Sequence, residues 1–151
     1  MEHLDTDYVE RLVARLGRIA PDAVPRWGVL RRNTLIEHLV WVVLHSMGRS
    51  KQMPFYGNWI TVHVLGPLFM RGLIPVPKNI QIPKKLREKG VTMREPGDLN
   101  TLRRLLEEYL NLVQADELRP APHPLFGDIG VDGWDRIHVR HFGHHLRQFG
   151  V

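Results

Sequence analysis

Cysteine is absent from the 151 residues. That removes a disulfide framework, a thiolate metal site and a cysteine nucleophile at once. Any metal ion would have to be held by histidine, carboxylate and water, the donor set of catalytic rather than structural zinc-type sites. Long unbroken apolar runs are missing too. The most apolar stretch, Trp59 to Val76, is interrupted by His63, Gly66, Pro67, Arg71 and Gly72 and is too short for a membrane span. The opening MEHLDTDYVE is acidic and polar and carries no secretory signal, so a cytoplasmic location is expected. There is no alternating strand pattern, no GxGxxG or Walker loop, no low-complexity tail and no internal repeat.

The chain is 43% hydrophobic and 25% charged, an ordinary globular composition, and its length suits one domain over 1–151 with a sizeable core. The net charge of +5 invites a nucleic-acid reading. The cations are spread over several segments, however, and no helix-turn-helix, RNP or zinc-finger signature accompanies them, so nucleic acid is not an expected partner. The same field would favour anionic small molecules.

What periodicity there is is helical. From Asp7, with Glu10 as its capping-box partner, Val9, Leu12, Val13, Leu16 and Ile19 follow an amphipathic spacing. A second helix is expected from Thr34, with Glu37 three residues on, through LIEHLVWVVLHSMG; apolar residues occupy almost its whole circumference, as in a helix enclosed by others. A third runs from Trp59 to about Gly72, kinked or split at Gly66 and Pro67. About 25 residues of irregular loop follow, with Pro75, Pro77, Pro83, Pro96 and a run of lysines, which could cover a site or contact a partner. A fourth helix extends from Leu99 to about Leu118, and RPAPHPLFGDIG leads into a last one.

The last helix concentrates the chemistry. In IHVRHFGHHLRQFG, His138, His141, His144 and His145 lie within eight residues. At 3.6 residues per turn His141 and His145 fall about 40° apart and one turn along the axis, so their imidazoles can reach one point. His138 shares their face but lies about 10 Å of rise from His145, and His144 points roughly 100° away. The pair sits between Val139, Phe142, Leu146 and Phe149 on one side and Trp134 and Ile137 on the other, which places it at the edge of a core, with Arg136, Arg140 and Arg147 in water. In the second helix His38 lies on the inward arc of Leu35, Leu39 and Val42, and His45 two turns further on the same face. Such histidines are either hydrogen-bonded core residues or ligands, and spacing alone does not choose.

Together, RWGVLRRNTLIEHLVWV, HPLFGDIGVDGWDRIHVRHFGHHLRQFG and the amphipathic helices around them resemble the DinB/YfiT superfamily of metalloenzyme-like proteins, and most closely its DUF1569 family. The resemblance covers nearly the whole chain. It implies an all-α fold, a four-helix bundle of DinB/YfiT type with a long Pro-rich loop and short extra helical turns. It further implies a divalent metal, zinc or nickel first and iron or copper as alternatives, held by His38, His141 and His145. His45, His138, His144 and Gln148 stand as outer or reserve groups. Where the superfamily often reads HxxHHRxQ, His141, His144, His145 and Gln148 are in place but Leu146 replaces the arginine, so no role for an arginine at that point carries over.

Two chemistries follow from the resemblance. In one, a thiolate attacks an electrophile, as in the thiol-dependent S-transferases and maleylpyruvate isomerases of the superfamily; without cysteine, the thiol would come from a low-molecular-weight cofactor. In the other, a metal-dependent hydrolase acts on a small-molecule substrate. No carboxylate is placed as an obvious general base, since Glu37 should point about 100° away from His38. The competing class is a non-catalytic dimeric bundle with a structural or vestigial metal. A homodimer is expected in each case.

Overall fold

The computed structural model describes residues 1–51 and 53–151. Among them the regular structure is all helical, with one isolated bridge between His123 and Gly127. α1 spans Thr6–Gly17, opened by Asp5, whose side chain accepts the Tyr8 N–H at 2.7 Å. The cap is thus Asp5 rather than Asp7, one residue outside the first turn, where a carboxylate can reach a free N–H. α1 buries Tyr8, Val9, Leu12, Val13 and Leu16 on one face.

α2 spans Arg32–Ser46 and starts two residues before the expected Thr34. Thr34 acts from inside the first turn instead, its hydroxyl taking the Arg31 N–H at 2.9 Å. As its apolar circumference predicts, α2 is buried on most sides, through Leu35, Ile36, Leu39, Val40, Trp41, Val42 and Val43.

The next helix is split as Gly66 and Pro67 suggest. Residues 59–60 lead into a π-helical turn, Thr61–Leu65, which runs directly into α3, Gly66–Met70. Pro67 has no N–H to give, and the Gly66 N–H reaches back five residues to the Thr61 carbonyl. Asn58 and Thr61 exchange side-chain-to-backbone hydrogen bonds at 2.7 and 3.0 Å to start the segment. The Pro-rich loop, read from its residues as irregular, contains a short helix, α4 at Lys84–Glu88, which buries Leu86.

α5 spans Leu99–Gln114, capped by Asp98. It stops short of Leu118 because the chain turns at Asp116, which adopts a left-handed φ of 56°. α6 spans Gly130–Phe149 and ends at Gly150 with a φ of 73°, a conformation glycine reaches without strain.

α1 and α2 each pack on both α5 and α6. Leu12, Leu16, Leu35, Leu39, Leu102, Leu106, Phe142 and Leu146 fill the space between them. Each such leucine, removed from water, contributes about 2 to 3 kcal/mol. A second, smaller cluster of Phe69, Phe126, Trp134 and Ile137 seats α3 on the first half of α6. No helix among the described residues is long and apolar enough to cross a membrane. Among the described residues six polar ones are buried in this interior: His45, Ser46, His138, His144, His145 and Gln148. Most sit on α6.

Candidate metal centre

The packing of α2 against α6 brings His38 to the HxxxH pair of the last helix. His141 Nε2 lies 3.0 Å from His145 Nε2 and 3.1 Å from His38 Nε2. Each residue offers one ligand nitrogen, and these all lie within 4.8 Å of one another. His38 and His141 are half-buried and His145 is buried.

The outer nitrogens decide where the protons are. His38 Nδ1 is 2.8 Å from the Met93 carbonyl oxygen, which can only accept, so Nδ1 carries the hydrogen and Nε2 presents a lone pair. His145 Nδ1 is 2.8 Å from Gln148 Oε1 and donates to it, while the Gln148 amide N–H donates to the Trp27 carbonyl at 2.8 Å. Two lone pairs therefore face His141 Nε2. One proton on that atom can serve only one of them, and the other contact sets lone pair against lone pair. A cation satisfies all three. His141 Nδ1 is buried with no partner among the described residues.

All three imidazoles are held below the ordinary histidine range, so they are neutral at neutral pH. Burial is the main cause for each. For His141, which lies well below, the neighbouring His145 and His38 add to it. For His145, pushed down to about 3, His38 adds and the hydrogen bond with Gln148 opposes. For His38 the bond to Met93 opposes. His38 and His145, neutral and with their outer N–H groups tied to carbonyl-type acceptors, have the form in which histidine binds metal. A tetrahedral ion with bonds of about 2.0–2.1 Å needs nitrogens about 3.3 Å apart, a few tenths beyond the two contacts seen here. The group could hold a metal ion.

The remaining candidate residues fall elsewhere. His138 is fully buried and donates from Nε2 to the Ser46 hydroxyl at 3.0 Å, Ser46 in turn donating to the Val43 carbonyl. Burial and the nearby His123 push it down to about 3. His45 stacks on Trp41 with ring centres 5.0 Å apart. With His123 and His138 it surrounds the Trp134 indole, at 6.1, 5.3 and 5.3 Å. Neither His45 nor His138 joins the three-histidine group. His144 is buried, edge-on to Trp27 at 5.4 Å and to His145 at 5.2 Å. Gln148, where the commoner reading of a helix glutamine is surface, is instead buried and orients His145. Arg140 departs from the expected solvent face: it lies 4.6 Å over the Phe69 ring and donates to the Ile74 carbonyl, because α3 covers that side of α6.

Two contributors were invisible to sequence reasoning, the Met93 carbonyl and Trp27. A backbone acceptor has no residue signature, and both lie in irregular segments. Gln148 had a signal, its place one turn beyond His145 on the same helix. A groove of about 530 Å³ runs between the starts of α2 and α5, past Arg32, Glu37 and Asp98, and is not lined by the three histidines.

Comparison with known proteins gives a family model, described as "Protein of unknown function (DUF1569)", that matches residues 2–150. No curated protein and no solved structure matches the chain.

Proposed function

The chain belongs to the DUF1569 family over nearly its whole length, and from that premise we propose that it is a divalent-metal-binding protein whose His38, His141 and His145 hold one ion through their Nε2 atoms. The observation that carries this reading is the outer bonding: His38 and His145 commit their Nδ1 protons to Met93 and Gln148, leaving both lone pairs aimed at His141. The wider DinB/YfiT-like assignment belongs to the same proposal. It is supported by the way α1 and α2 each pack on α5 and α6, with the histidines on facing helices.

With three nitrogens as its protein ligands, zinc or nickel would supply Lewis acidity, lowering the pKa of a water or thiol that reaches it and polarising a carbonyl. The chain's own part is to fix the ligands. α6 sets the spacing of His141 and His145, Gln148 locks the His145 ring, and the end of the Pro-rich loop locks His38.

Among the described residues no carboxylate joins the group. Glu37 faces Arg94 at 3.8 Å instead. A thiol is more acidic than water by about seven pKa units and depends less on a protein base. Transfer of a small-molecule thiol to an electrophile is therefore the first reading, and hydrolysis the second.

The test is elemental analysis of untagged protein beside His38→Ala and His141→Ala, each checked for helicity by circular dichroism. Near-stoichiometric metal in the wild type, lost in both folded variants, is the expected result. A wild type that takes up no ion after reconstitution overturns the reading.

A further inference from the structure

Beside His145 stand three side chains whose hydrogen-bonding and charge are unanswered among the described residues. The indole N–H of Trp27 is buried without a partner. Lys78 holds its ammonium 4.4 Å over the Trp27 ring and forms no ion pair among the described residues. His144 is buried between Trp27 and His145 and makes no hydrogen bond among them.

Their position relative to the centre is fixed. The Trp27 carbonyl accepts from Gln148, which accepts from His145, both at 2.8 Å. Gly28, next to Trp27, has a φ of 77°, and a Cβ there would sit 2.9 Å from Gln148 Nε2. The bare backbone is what lets the Trp27 segment come this close. No aspartate or glutamate occurs between Glu37 and Glu88, so the stretch around Lys78 brings positive charge with no acid of its own before Glu88.

We propose that Trp27, Lys78 and His144 bind an anionic group, a carboxylate or a phosphate, of the small molecule on which the centre acts. This rests on the reading of the three histidines as metal ligands. An anion would accept from the orphan indole N–H and from His144 while neutralising the ammonium, and charge-assisted hydrogen bonds of this kind are the strong ones. A cationic ligand would be repelled by Lys78. A purely apolar one would leave the indole N–H unanswered.

The test uses the full-length chain, metal-loaded and metal-free, titrated separately with acetate and with inorganic phosphate at ionic strength held constant with chloride. Calorimetry gives the affinity. The Trp27 indole N–H signal, identified by its loss in Trp27→Phe, reports the place by NMR. Binding that shifts this signal, and that weakens about tenfold or more in both Lys78→Met and Trp27→Phe, is the expected result, with the tighter anion naming the group. Trp27→Phe keeps an aromatic ring under Lys78 and removes the N–H together with the five-membered half of the indole. An indole signal that acetate and phosphate move no more than chloride does, or affinities unchanged in both variants, overturns the proposal. Metal content is measured on the same samples. Anion binding by a wild type that holds no metal would sink the metal reading alone, whereas normal metal content with unchanged anion affinity in the variants would sink this proposal alone.

Discussion

Gln148 does two jobs with one amide: its oxygen fixes the tautomer of His145 and its N–H ties that histidine to the Trp27 segment. Removing such an outer partner of a metal-binding histidine weakens metal affinity by about 10- to 100-fold. Gln148→Leu is expected to show that loss in a competition titration against a chelator, while Gln148→Glu, which keeps an acceptor for His145 Nδ1, retains most of the affinity. Gly28→Ala should act through the same amide, because its methyl would crowd Gln148 Nε2 and its φ of 77° strains any other residue. Stability is expected to fall by about 1 to 3 kcal/mol in urea unfolding, together with metal affinity.

α6 carries two separable loads. Its second half bears His141, His145 and Gln148, and its first half bears the seat for α3. Gly133 marks the seat: a Cβ there would meet Ile129 at 2.5 Å and the Met70 sulfur at 3.2 Å. Gly133→Ala should push α3 away at a cost of about 1 to 3 kcal/mol. Eight residues of helix, about 12 Å, separate it from His141, so metal content is expected to be unchanged. A loss of metal in a folded Gly133→Ala protein would mean that the two halves are coupled. At the other end of the chain, Asp5→Ala removes the α1 cap seen at 2.7 Å, with about 1 kcal/mol expected in the same unfolding measurement.

The molecule as a whole stores an acid sensitivity in its interior. Burial pushes His138 down to about 3 and His123 to about 4, and neither belongs to the three-histidine group. The unfolded chain protonates such groups near 6.5, so below that value it binds more protons than the folded protein does. Stability is thus complete above about pH 6.5 and falls as pH drops, by about 1.4 kcal/mol per pH unit for each histidine, until the folded pKa is reached. Urea midpoints measured between pH 7.5 and 5 should follow that slope, and a folded His138→Leu variant should lose one histidine's share of it. In the other direction, an ion at a hundredfold excess over its Kd adds about 2.7 kcal/mol. For a chain of this size that is a Tm rise of about 5–10 °C, reversed by a chelator.

Sequence alone determined whatever depends on spacing along one helix. Val9, Leu12, Val13 and Leu16 had to share a face, α2 had to be enclosed, Gly66 and Pro67 had to disturb the regular winding of the third helix, and His141 and His145 had to lie one turn apart. All follow from 3.6 residues per turn and from a missing N–H. The three-dimensional packing decided what depends on residues far apart in the chain. That His38 meets His141 across 103 positions, that Met93 caps His38 across 55, and that Gln148 reaches Trp27 across 121 are consequences of how α2 and two irregular segments settle against α6. A backbone carbonyl or a loop indole leaves no periodic trace, because its partner is chosen by the fold and not by its neighbours in sequence.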